Sequence, residues 1–108
     1  MAFAATYIDD EPTREQVDMT AGRLLLEFGA NWCGHCQALS SAVESLLKDR
    51  PDIHHLRIAD GRGKPLGRSF RVKLWPTFVL LQDGEVREQL VRPAEDELCR
   101  AVNSAFPV

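Results

Sequence analysis

No apolar run in this sequence approaches the roughly 20 residues needed to cross a bilayer, so no membrane partner is expected. A basic excess is also missing: 13 Lys and Arg stand against 16 Asp and Glu, a net charge of -3. That balance argues against a nucleic-acid partner. Cysteine is scarce and odd in number, three in all, which argues against a closed disulfide framework. Internal repeats, low-complexity tracts and long linkers are absent. The start, Met1-Ala2-Phe3-Ala4-Ala5, has neither a basic n-region nor a long apolar h-region. No signal peptide is read there, and a cytoplasmic location is expected. What remains is 108 residues, 44% hydrophobic and 27% charged. That suits one globular domain over 1–108.

Tyr7-Ile8 reads as a short edge strand. Pro12 to Met19 reads as a short helix, with Thr13 and Gln16 spaced like a capping box. Leu24 to Phe28 is an apolar run with Glu27 inside it, the length of a strand buried on both faces. From Cys33 to about Lys48 the spacing turns helical, with Leu39, Ala42, Val43, Leu46 and Leu47 on one face. Pro51 ends that helix. Ile53 to Ala59 predicts a second parallel strand, completing a βαβ unit. A short helix is expected around Leu66 to Phe70, then a strand over Thr77 to Leu81. Asp83-Gly84 is a hairpin signal, so Glu85 to Val91 should return antiparallel. Pro93 should begin a last helix, with Leu98, Ala101, Val102 and Ala105 inward. The fold class is α/β, a mixed sheet flanked by helices.

Cys33 and Cys36 fall where a buried strand hands over to a helix. The first turn of a helix has free N–H groups and a positive dipole end. Both stabilise an anion, and the thiolate is the nucleophilic form of cysteine. Positions i and i+3 hold their Cβ atoms roughly 5–6 Å apart. Modest adjustment reaches the separation of about 3.5–4.5 Å that a disulfide needs. The pair can open and close without remaking the fold. Zinc would need more ligands than Cys33, Cys36 and His35 provide. Gln37 after the second cysteine excludes a haem-attachment motif.

The segment from Phe28 to Cys36, with Trp75-Pro76-Thr77 and Asp83-Gly84 further on, resembles the thioredoxin family from about Tyr7 to Phe106. The resemblance implies a thioredoxin fold, with helices on both faces of the sheet, and thiol–disulfide exchange on protein substrates. Cys33 matches the exposed nucleophile and Cys36 the more buried resolving thiol. Trp32 matches the indole beside the pair. Pro76 matches a cis-proline facing the sulfurs. Trp75 matches the residue whose backbone pairs with an extended substrate. Glu27 matches the buried acid that handles the proton of the resolving cysteine.

Gly34-His35 between the cysteines is the dipeptide of protein disulfide isomerases. An imidazolium at His35 favours the reduced form and so a more oxidising pair. Benchmarks are about −270 mV for thioredoxin and about −180 mV for the isomerase. Glu27 stands where the family has aspartate. The family's lysine partner falls near Leu56, so an ion pair is not expected and Glu27 should be an unpaired buried carboxylate with a raised pKa. Gly29 replaces a tryptophan, Trp75 replaces an aliphatic residue, and Arg92 stands near a family glycine.

The catalytic set expected is Cys33, Cys36, Glu27 and His35. The substrate set is Trp32, Gly34, Trp75, Pro76, Thr77 and Arg92. His54 and His55 read as ordinary strand residues, and Cys99 as a half-buried helix residue. Arg57, Arg62, Lys64, Arg68, Arg71 and Lys73 read as a solvated basic face, or one that steers an acidic partner or glutathione. No cofactor beyond the Cys33–Cys36 pair is implied, and no metal. A thioredoxin-reductase-like flavoenzyme or glutathione would supply electrons to a monomer. Reduction of protein disulfides is the leading reading. The rivals are a disulfide oxidase or isomerase, and a non-catalytic docking module.

Overall fold

The structure, a computed structural model, describes residues 3–108. Met1 and Ala2 of the segment read for a leader lie outside the described residues.

The elements are α1 (Arg14–Asp18), β1 (Arg23–Gly29), α2 (Gly34–Lys48), β2 (Ile53–Ala59), α3 (Pro65–Ser69), β3 (Thr77–Gln82), β4 (Glu85–Val91) and α4 (Glu95–Ala105). The strands form one mixed sheet in the order β2-β1-β3-β4. β1 runs parallel to β2 and antiparallel to β3, and β3 antiparallel to β4. Tyr7-Ile8 contributes one parallel bridge, Ile8 to Ile58, at the β2 edge.

Local signals explain most boundaries. Thr13 caps α1, accepting from the Gln16 N–H, while the Gln16 side chain accepts from the Thr13 N–H. Pro65 takes the first position of α3, one residue earlier than expected, where its missing N–H costs nothing. Pro93 does not start α4; the helix begins at Glu95, and Glu97 caps the Ala94 N–H. The β3–β4 turn places Asp83 and Gly84 both at positive φ, 53° and 84°, the backbone of a tight two-residue hairpin.

Alternation along β1 sends its side chains to two faces. Leu24, Leu26 and Phe28 join Val17, Leu66 and Phe70 under α1 and α3. Leu25 joins Val43, Leu47, Leu98 and Val102 under α2 and α4. Glu27 has the parity of Leu25, so the sheet directs it towards α2. It is buried completely.

Candidate active site

Cys33 is the N-cap of α2, in extended backbone. Its Sγ accepts the Cys36 N–H at 3.2 Å, so one orphan donor of the helix terminus points at the sulfur. The two cysteines stand as free thiols and both are buried. Cys36 is 1% exposed and Cys33 7%. Burial, then the Cys33 side chain, pushes the Cys36 thiol up to about 11. Cys36 is therefore a protonated thiol near neutrality.

Trp32 projects into solvent at 76% exposure, and its ring meets that of Trp75 edge-on at 5.5 Å. Trp75 packs against the cluster of Tyr7, Ala30, Cys33 and Cys36. Its indole N–H donates to Asp60 at 2.9 Å. The Trp75–Pro76 peptide is cis. Gly34 and His35 are exposed on the first turn of α2. Arg92 is exposed at positive φ, 46°. Its Nε donates to the Trp75 carbonyl at 2.7 Å, and its N–H to the Pro76 carbonyl.

Thr77 differs from expectation. It is fully buried and its hydroxyl donates to the Leu74 carbonyl at 2.6 Å. It braces the turn before Pro76, and its side chain is not presented to a substrate.

Glu27 differs more. Burial by itself would raise its pKa. The hydrogen bond from His55, then Arg57, overcomes that and holds the carboxyl below its ordinary value. Oε1 meets His55 Nε2 at 2.9 Å and Arg57 Nε at 3.1 Å. His55 Nδ1 accepts the Ala4 N–H, which assigns the ring proton to Nε2. Oε2 accepts the Tyr7 hydroxyl. The unpaired carboxylate with a raised pKa is thus a paired one with a lowered pKa. Leu56 was the wrong position for a partner. In the β1–β2 register Glu27 lies directly across from Arg57 and Leu25 across from His55. Both cross-strand residues share Glu27's face, and Leu56 takes the opposite one.

Arg57 therefore leaves the basic face read from the sequence. It is 3% exposed, and it also donates to the Ala5 carbonyl and to Ser40. Nor is His55 an ordinary strand residue, since it is buried against Glu27, whereas His54 is exposed. The remaining cations of that stretch are exposed, except half-buried Lys64. Cys99 is half-buried in α4, as read.

Sequence reasoning missed Tyr7, His55, Arg57 and Asp60 as parts of the site. The available signal was parity: His55 and Arg57 lie two apart on β2, on the face that buried Ile53 also takes, while Leu56 and Ile58 point to the other. Among the described residues, no group of three or more His, Cys, Asp and Glu is placed to hold a metal ion. Among the described residues, no helix is long and apolar enough to cross a membrane.

Thioredoxin 2 from Pseudomonas aeruginosa PAO1, in its reduced form, is 44% identical to this chain. The match covers 95% of this chain and 96% of that one, with a TM-score of 0.85. A mutant thioredoxin from Halobacterium salinarum NRC-1 is 30% identical, over 95% and 91% of the two chains, with a TM-score of 0.75. Thioredoxin H-type from Ricinus communis is 28% identical over 83 residues, 77% of this chain and 70% of that protein. The family model described as Thioredoxin matches residues 5–104. This chain belongs to the thioredoxin family, whose members are thiol–disulfide oxidoreductases.

Proposed function

We propose that this protein is a cytoplasmic, monomeric disulfide reductase acting on protein substrates, its one domain spanning 1–108. The observation that carries this is Cys33 Sγ at the N-cap of α2, accepting the Cys36 N–H, with Cys36 buried one turn behind it. A thiolate at Cys33 attacks one sulfur of the substrate disulfide, and the other sulfur leaves with the bond's electron pair. Cys36 then attacks Cys33 Sγ, and the second substrate sulfur leaves. The chain is left as the Cys33–Cys36 disulfide, having given up two electrons. A thioredoxin-reductase-like flavoenzyme or glutathione restores the dithiol. The redox-active pair suffices, without metal or organic cofactor.

Trp32, Gly34 and the Trp75-Pro76 turn form the substrate surface, with Arg92 at its rim. Exposure of His35 on the first turn of α2 favours a second reading, an oxidant or isomerase. An imidazolium there would stabilise the thiolate and raise the potential.

Two measurements test these readings. Cys33→Ser should abolish turnover, and Cys36→Ser should trap mixed disulfides. If Cys33→Ser leaves function intact, the docking-module reading replaces the enzyme. Titration of the pair against glutathione or dithiothreitol buffers decides direction. A potential near about −270 mV supports the reductase, and one near about −180 mV supports the oxidant or isomerase.

A further inference from the structure

We propose that the Tyr7 hydroxyl activates Cys36 for the resolving step by hydrogen-bonding its sulfur, and that the buried Glu27 carboxylate orients this hydroxyl instead of accepting the thiol proton. The inference rests on the dithiol exchange proposed above.

Gly29 packs against both Cys36 and Tyr7. A Cβ built there would lie 2.6 Å from Cys36 Sγ and 2.8–2.9 Å from Cε1 and Cζ of the Tyr7 ring. The sulfur and the hydroxyl-bearing carbon thus both lie within 2.9 Å of one point, where the missing side chain would begin, and Tyr7 and Cys36 belong to one buried cluster. The Tyr7 hydroxyl bonds Glu27 Oε2. It also acts on Cys36, in the direction that favours the thiolate.

The charges decide which group can move a proton. Glu27 is held ionised by His55 and Arg57, and its lowered pKa makes it a weak proton acceptor for a thiol as basic as Cys36. Tyr7 is pushed far above its ordinary value, by burial first and by Glu27 second, so it stays a phenol. A neutral phenol beside a fixed carboxylate serves as a donor. Its O–H rotates about the C–O bond, and it can turn from Oε2 to the sulfur as negative charge develops there. Glu27 keeps its Oε1 partners, His55 and Arg57, while this happens.

The step balances without proton uptake by Glu27. The Cys36 electron pair forms the bond to Cys33 Sγ, and the Cys33–substrate bond breaks. The departing substrate sulfur carries off that pair and takes up, through water, the proton that Cys36 has lost. The titratable and charged groups around Tyr7 and Cys36 are Glu27 from β1, Arg57 from β2 and Cys33 from the head of α2, with His55 of β2 bonded to the far oxygen of Glu27.

The test is Tyr7→Phe, which keeps the ring and removes only the hydroxyl. Resolution of a preformed Cys33 mixed disulfide is followed by stopped flow from pH 7 to 9. Alkylation of Cys36 is measured separately in a Cys33→Ser background. Loss of a hydrogen bond to a charged group should slow both about tenfold. Alkylation of Cys33 in the Tyr7→Phe protein should stay unchanged, which a general packing defect would not achieve. Equal resolution and Cys36 alkylation rates with and without the hydroxyl overturn the inference alone. If Cys36→Ser captures no substrate thiol, the exchange reading falls, and this inference with it.

Discussion

Replacing Arg57 by methionine removes the side chain that balances Glu27. The guanidinium is 3% exposed, donates to Glu27 Oε1 at 3.1 Å, and lies 4.7 Å from the Tyr7 ring centroid. Without it a fully buried carboxylate keeps only His55 and Tyr7. Removing one partner of a buried pair costs about 3–5 kcal/mol. That is a fifth or more of the roughly 5–15 kcal/mol total of a typical domain. In urea the midpoint should fall by about 2 M, at a slope of about 1–3 kcal/mol per molar.

The effect has a pH signature. In the natural chain the folded Glu27 pKa lies below its unfolded value. Its contribution is fully present above about pH 4.3 and is lost as pH falls through the folded value. In Arg57→Met burial dominates, and the folded pKa rises above the unfolded one. The variant then loses stability as pH rises through that raised value. The gap between the two proteins should be widest at pH 7 and should narrow towards pH 5. A loss below about 1 kcal/mol, or one equal at both pH values, would refute a buried pair and return Arg57 to the solvated face.

Gly29→Ala should destabilise by about 1–3 kcal/mol by overpacking, since its Cβ would press on Cys36 Sγ and the Tyr7 ring; a thermal melt of the reduced protein checks it. Cys36, with its thiol pushed up to about 11, should resist iodoacetamide at pH 7 while Cys33 reacts; peptide mapping after brief labelling shows which sulfur is modified. Arg50→Met should cost about 2–3 kcal/mol, because the buried Arg50 side chain ties Asp52, Asn103 and the Phe106 carbonyl together; hydrogen exchange should speed up in the last turn of α4. Arg92→Gly relieves a positive φ but loses the bond to the Trp75 carbonyl, so stability should change by less than about 1 kcal/mol. It frees that carbonyl for an extended substrate, and KM should fall; an unchanged KM would deny the carbonyl any part in binding.

Which residues surround Glu27 illustrates where a linear reading stops. The apolar neighbours in β1 correctly predicted its burial. Its partners lie on β2, and pairing across a parallel sheet depends on a register that no local pattern carries. A slip of one residue exchanges Leu56 for Arg57 and turns an unpaired acid into an ion pair. Tyr7 is further removed still. It precedes α1 by several residues and reaches the site because Ile8 bridges Ile58 at the edge of the sheet and the Asn31 side chain bonds the Tyr7 N–H and carbonyl. Thr77 shows the opposite error, for a residue beside a substrate-facing proline can still bury its own side chain.

The strand and helix order, the hairpin at Asp83-Gly84 and the seat of Cys33 and Cys36 at a strand-to-helix junction were determined by the sequence itself. Those features rest on short-range physics: side-chain periodicity, proline's missing N–H and the φ tolerance of glycine. Tertiary structure alone decided the charge state beneath the dithiol. Cross-strand register brought His55 and Arg57 to Glu27, and the gap at Gly29 admitted Tyr7 to Cys36. The electrostatics of a buried group depend on what lies within a few ångströms in space, and the chain brings those neighbours together only when it folds.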